Sequence, residues 1–385
     1  MQQILNQIQV DQSGEPGAST PQKGRPAWLA AVQLGAFLCL GVLSLEAFFN
    51  LSGVGNEEFL EPDRTFGVKH IPGKKVVWRL EGYSDEHLSK QGLRDTEHAI
   101  SKAEGTYRIV LLGDSATEGM QVQLKDTYGK QLEQLLNSSG KMKKNVEVIN
   151  FGCSSYSNGQ ETLQLEQQVR QFKPDLVVMM YNRGDYIENI RDPNTMKAEP
   201  RPYFHLDANN NLLQDNTIMD FNKSAFEPHP VIAFLRNNSR IYGVLNHTNL
   251  ALSLNEQLYS KMRNSLLKML PGTKEQWKRT AAPYVIQDPW KVSEAIINRA
   301  KADCDAQNAK FMFVCFPNNV NEKEYAKQIS NLKTQAKNQG FMYLDLTPDY
   351  VNASDPKSLF LKYHFSSAGH SVAANKIGQT IIGSN

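Results

Sequence analysis

The chain has 385 residues, 40% hydrophobic and 21% charged, with 42 basic against 40 acidic side chains and a net charge of +2. Ordinary apolar content at so small a net charge excludes bulk disorder, and the lack of a basic surplus speaks against a dedicated nucleic-acid binder. A single long apolar run excludes a polytopic membrane protein, while the length fits two or three domains or one elaborated α/β domain.

Residues 1–27 are rich in Gln, Ser, Gly and Pro and read as a cytoplasmic leader without a fixed fold. Trp28 to Leu45 follows, apolar except for Gln33 and Ser44. Eighteen helical residues span roughly 27 Å, near the thickness of a bilayer core. Residues 28–49 therefore read as a transmembrane anchor. Lys23 and Arg25 precede the run and Glu46, Glu57 and Glu58 follow it. The positive-inside rule then keeps the N-terminus in the cytoplasm and places the body outside, in a periplasmic or extracellular space. The rival readings are a cleaved signal peptide and a buried soluble helix; the long polar leader and the lack of a small-x-small cleavage pattern near Leu45 favour the anchor.

Residues 50–106 read as linker and lead-in, and 107–385 as the main domain. Within it, YRIVLL (107–112), VEVIN (146–150), DLVVMMY (175–181), FMFVCF (311–316) and FMYLD (341–345) are short apolar runs of strand character. Between them lie helical patterns: one capped by Asp126 with Tyr128, Leu132, Leu135 and Leu136 on one face, then 158–172, 290–309, 321–338 and about 367–381. Repeated β-α units of this kind predict an α/β fold, a parallel sheet covered by helices on both faces. Residues 192–285 break the rhythm and read as an insertion over the sheet's active edge. It includes an amphipathic stretch near 250–270 and a basic surplus from Glu256 to Arg279, most simply a solvated helix face.

Sites in such sheets lie beyond the C-terminal strand ends, so the loops after residues 112, 150, 181 and 345 matter most. The first is GDSATEG (113–119), a Ser just past a buried strand with backbone N–H groups nearby. A hydroxyl so placed suits nucleophilic attack if a base takes its proton, but Gly, Asp and Ser equally make a plain turn. The chain closes with HFSSAGHSVAANKI (364–377), a His just before the last helix. The two together resemble the SGNH (GDSL-type) hydrolase family, whose four blocks occur here in order. GDSATEG resembles the first block, NFGCSSYS (150–157) the second, YNRGDYIEN (181–189) the third and HFSSAGH the fourth. SKQGLRD (89–95) is similar to a lead-in of membrane-anchored members.

The resemblance implies a three-layer, flavodoxin-like sheet with Ser115 as nucleophile and His364 as base. It also implies an oxyanion hole at Ser155, where the family carries Gly, and at the third block. There the family's Asn place is Gly184, with Asn182 two residues earlier as a substitute. Asp114 and Asp185 read as loop-shaping supports. The family's acid place, three residues before the base, is Leu361 here. Asp345, Asp349, Asp355 or a main-chain carbonyl are left to orient His364. His370 reads as structural, and Cys153, taken to have no basic neighbour, as a small buried thiol. The matches to Asn-x-Ser/Thr at Asn137 and Asn246 carry meaning only in a glycosylating host. The four cysteines lack metal or disulfide spacing, and no metal or organic cofactor is implied.

Three functions follow from the resemblance: a membrane-anchored serine esterase acting on O-acyl groups, an acyltransferase modifying cell-surface polysaccharide, or a binding module that has lost the acid and the oxyanion Asn. An acyl ester or polysaccharide, the membrane and no nucleic acid are the expected partners.

Overall fold

A computed structural model describes residues 26–54, 59–191, 200–221, 230–247, 288–317 and 323–384. The leader up to residue 25, the 250–270 stretch and the basic surplus lie outside the described residues. The chain divides into two compact units, Met1–Leu51 and Ser52–Asn385.

The first unit holds helix α1 (Ala27–Ser52), 26 residues long and without a buried side chain. At 1.5 Å per residue it is about 39 Å long, and Trp28, Phe37, Leu38, Leu43 and Phe48 are all exposed. By length and composition it can cross a membrane, a property it shares with signal sequences near an N-terminus.

The second unit opens with two antiparallel hairpins, β1 (Leu60–Asp63) with β2 (Gly67–His70) and β3 (Lys75–Trp78) with β4 (Ser84–His87). The expected linker is thus folded in this part. Its GLRD sequence ties it to the sheet: Leu93 enters the core, Arg94 donates to the carbonyl of Val122 at 2.9 Å, and Asp95 accepts the N–H of Asn150 at 2.8 Å. Lys130 Nζ lies 2.6 Å from the same Asp95 carboxylate.

The sheet has five strands: β5 (Thr106–Leu112), β6 (Asn145–Asn150), β7 (Leu176–Tyr181), β10 (Lys310–Cys315) and β11 (Met342–Asp345). All are parallel, in the order β11-β10-β7-β5-β6. This is the flavodoxin-like arrangement, with the strand order reversing at β5. The expected strands are all present within a residue or so of their predicted ends. Their side chains alternate between two cores, as the period of a strand requires. Ile109, Leu111, Val148, Val178 and Val314 face helices α3 (Tyr128–Ser138) and α8 (Ser367–Gly383). Val110, Leu112, Ile149, Val177, Phe311 and Phe313 face α4 (Asn158–Gln167), α6 (Pro289–Ala306) and α7 (Lys323–Gln339). Burial on both faces explains why these strands read as unbroken apolar runs.

Thr127, not Asp126, caps α3: its backbone is extended and its Oγ accepts from Lys130 N–H, while Asp126 ends a preceding 3-10 turn. The predicted helix over 158–172 ends at Gln167 and gives way to a 3-10 turn, Val169–Phe172. Within the 192–285 insertion, β8 (Tyr203–Leu206) and β9 (Leu212–Asp215) form a hairpin. Phe204 seats it against Gly159 of α4, where a Cβ would approach the ring to 2.3 Å.

Candidate active site

Strand β5 hands over to α2 (Ser115–Glu118) through a tight turn. A Cβ on Gly113 would lie 2.0 Å from Thr117 Oγ1, so the chain bends there only without a side chain. Asp114 caps α2, its Oδ1 accepting Ala116 N–H at 2.8 Å. Its Oδ2 accepts from the Asn182 amide at 2.9 Å, linking the first and third loops. Ser115 therefore stands at the carboxyl end of β5, at the switch point of the sheet.

His364 arrives from the opposite end of the chain. Leu361 N–H donates to the His364 carbonyl at 2.8 Å and Phe360 bridges to Phe365, closing a small turn. Phe365 is fully buried, and Ser366 caps α8 by accepting Gly369 N–H at 3.2 Å. The imidazole between them places Nε2 2.8 Å from Ser115 Oγ.

The other ring nitrogen, Nδ1, meets the carboxylate of Glu81. This corrects the expectation that Asp345, Asp349, Asp355 or a carbonyl would serve. Asp345 Oδ1 instead accepts Thr347 N–H at 2.9 Å, and Asp349 pairs with Lys376 at 2.6 Å. Glu81 sits in the β3–β4 connection. Its second oxygen accepts Tyr363 N–H at 2.8 Å, and its carbonyl accepts the Trp78 indole N–H at 2.9 Å. Gly82 brings that connection close: with φ at +64°, it leaves only 2.1 Å between a Cβ and the Gln121 carbonyl. Leu361, at the family's acid place, borders the same glycine: its Cδ1 would be 2.8 Å from that Cβ. A carboxylate only accepts hydrogen bonds, so His364 carries its proton on Nδ1 and leaves Nε2 free to take the proton of Ser115.

A cleft of about 280 Å³ opens beside Ser115, lined by Asp114, Ser155, Tyr156, Asn182, Asp185, Glu188 and Arg201. Ser155 has a left-handed backbone, φ +69°, the region that favours glycine. The N–H groups of Ser115 and Ser155 have no hydrogen-bond partner among the described residues. Asn182 lines the cleft with one amide N–H engaged by Asp114. Gly184 does not line it: this residue precedes α5 (Asp185–Glu188), and a Cβ there would meet Glu188 Oε1 at 2.7 Å. Asp185 Oδ2 accepts Asn182 N–H at 2.7 Å and so shapes the third loop. Arg201 comes from the insertion and pairs with Glu188 at 3.0 Å.

Burial pushes the carboxyl of Asp114 up, against the opposing N–H of Ala116 and amide of Asn182. Burial also raises Asp185 well above the usual carboxylate range, reinforced by Glu161 and Asp114. His370 is buried and structural, its Nδ1 accepting Tyr128 N–H at 3.1 Å; burial, with the charges of His364 and Arg94, lowers its pKa to about 3. Cys153 is buried but does have a basic neighbour: His70 and Glu118 place ligating atoms within 4.8 Å of its sulfur. Burial raises the thiol's pKa, which keeps it protonated.

A serine hydroxyl, an imidazole and a carboxylate thus stand in line, with two N–H groups beside them that have no partner among the described residues. The family model of the GDSL-like lipase/acylhydrolases matches residues 109–377, and the chain belongs to that family. Among solved structures it is similar to TesA, at 10% identity over 71% of this chain and 98% of that one, with a TM-score of 0.40. It is similar to LAE5, an alpha/beta hydrolase from the metagenome of Lake Arreo, Spain, at 14% identity over 72% and 95%, TM-score 0.40. A catalytic mutant of an acetylxylan esterase from Geobacillus stearothermophilus aligns at 13% identity over 71% and 94%, TM-score 0.38. No match is found among curated proteins.

Proposed function

We propose that the protein is a membrane-anchored serine esterase that removes short O-acyl groups from a hydrophilic substrate outside the cytoplasm. The observation that carries this reading is the continuous relay from Ser115 Oγ through His364 to Glu81. Ser115 attacks the ester carbonyl while His364 Nε2 takes its proton, and Glu81 stabilises the imidazolium that forms. The N–H groups of Ser115 and Ser155, with the amide of Asn182, receive the developing oxyanion. His364 returns the proton to the leaving alcohol, and water repeats the cycle on the acyl-enzyme.

The cleft supports a short acyl group. Its described lining is polar apart from the ring of Tyr156, and 280 Å³ is at the small end for ligand sites. Glu81 supports catalysis over a binding module, because the acid that Leu361 lacks is supplied from elsewhere. Helix α1 and the Lys23 and Arg25 before it support an anchored domain outside the cytoplasm.

The test is labelling of the full chain in detergent by a fluorophosphonate, followed by turnover of acetyl, butyryl and octanoyl esters. Labelling at Ser115 that is lost in His364→Ala, with acetyl preferred, is the expected result. Turnover retained in Ser115→Ala overturns the reading. Faster acyl release with an added glycan acceptor than in water assigns the same centre to transfer.

A further inference from the structure

Behind the oxyanion loop lies a buried group of polar side chains that the hydrolytic relay does not use. Glu118 closes α2 and is 1% exposed. Its Oε1 accepts Ser154 N–H at 3.0 Å, and its Oε2 accepts the Ser154 hydroxyl. His70 Nε2 lies 2.5 Å from the same Oε1, while His70 Nδ1 lies 2.9 Å from the Gly92 carbonyl. The backbones are equally close: a Cβ on Gly152 would come within 2.4 Å of Glu118 N. Cys153 N–H donates to the Gly113 carbonyl at 3.0 Å, so the loop is tied to the turn before Ser115 as well.

These contacts end one residue before Ser155, whose left-handed backbone a non-glycine residue adopts only when its surroundings hold it. The direction of the Ser155 N–H follows from the peptide plane it shares with Ser154. Both ring nitrogens of His70 face acceptors, the Gly92 carbonyl and the Glu118 carboxylate; burial disfavours the charged ring, yet its pKa is raised well above the ordinary value. Both ring nitrogens then carry protons, one for Gly92 and one for Glu118. Both ring nitrogens of His70 and both carboxylate oxygens of Glu118 are engaged in this way, which reads as a hydrogen-bonded brace.

We propose that Glu118, backed by His70, is a positioning residue: it fixes the Ser154–Ser155 peptide so that the Ser155 N–H meets the oxyanion. The inference rests on the esterase reading above. It ties the efficiency of the oxyanion hole to the lead-in hairpin that carries His70.

The experiment compares an oxoester with its thionoester on the full chain. Oxyanion donors favour oxygen over sulfur, so the ratio of the two kcat/KM values reports the hole and is independent of the fraction of folded enzyme. In Glu118→Ala the ratio is expected to fall about 10- to 100-fold, somewhat less than for deletion of an oxyanion donor. Glu118→Gln, which can still accept Ser154 N–H, retains most of it. Ser154→Ala removes one hydroxyl contact only, stays folded, and lowers the ratio by a smaller factor. Glu81→Gln slows both substrates and leaves the ratio unchanged. An unchanged ratio in Glu118→Ala, or in Ser154→Ala where the former does not fold, overturns the brace while leaving the esterase reading intact. Turnover retained in Ser115→Ala overturns the esterase reading itself, and the brace with it. Stoichiometric zinc in the purified chain, with the ratio lost on chelation, overturns the brace in favour of a metal site.

Discussion

Replacing Glu81 by Gln probes the one member of the relay that comes from outside the family's blocks. The two carboxylate oxygens face two donors, His364 Nδ1 and Tyr363 N–H. A carboxamide offers one oxygen and one NH₂, so one of these donors must face another donor. If the oxygen stays on Tyr363, the NH₂ turns to Nδ1 and drives the imidazole proton to Nε2. That tautomer cannot accept the proton of Ser115. If the oxygen stays on His364, Tyr363 N–H confronts the NH₂ at a 2.8 Å spacing and the turn carrying His364 shifts. Loss of the orienting acid in serine hydrolases costs about 10⁴-fold in kcat, or roughly 5–6 kcal/mol at 1.4 kcal/mol per factor of ten. The same loss is expected here, because Glu81 is the only carboxylate bonded to His364 among the described residues. The assay is steady-state turnover of an acetyl ester by the full chain in detergent, with circular dichroism to confirm folding. Glu81→Asp, shorter by one methylene, should recover part of the rate. A fall of less than about tenfold in folded Glu81→Gln would refute the role of this acid.

Gly82→Ala should lower kcat by at least about tenfold and reduce the thermal midpoint, since its Cβ would sit 2.1 Å from the Gln121 carbonyl and displace Glu81. Ser155→Gly should keep activity within about threefold, because the backbone N–H is the working group and φ of +69° suits glycine; a loss above tenfold would assign work to the hydroxyl. His370 should make the fold acid-sensitive. Its pKa is about 3 when folded and 6.5 when free, so below pH 6.5 the unfolded chain binds the extra proton. This stability is complete above pH 6.5 and falls by about 2 kcal/mol from pH 6 to 4. Urea unfolding at both pH values should show that difference in the wild type and not in His370→Asn.

The sheet was legible because its strands are buried on both faces: runs such as Val110–Leu112 and Val177–Met179 leave no polar alternation to misread. Helix ends were less so. Asp126 and Thr127 are both competent caps, and only the extended backbone at Thr127 separates them. The meeting of Ser115 and His364 could be anticipated from local blocks, since each needs only its own strand or turn to be presented. Glu81 could not. It lies in the connection of a hairpin with four-residue strands, and its partner is 283 residues away, so no local pattern joins them. The acid-glycine pair Glu81-Gly82 is the one signal a reader could have weighed. Likewise the basic neighbour of Cys153 was hidden, because His70 reaches it from the first hairpin.

The relay's members run along the chain as acid, nucleophile and base, at positions 81, 115 and 364. The third is synthesised 249 residues after the second. A chain interrupted before position 364 holds a serine and a carboxylate with no proton acceptor between them. It also lacks α8, which lays Ala373, Ala374, Ile377 and Ile381 against one face of the sheet. On the proposed mechanism, completion of this core and the pairing of Ser115 with its base therefore coincide.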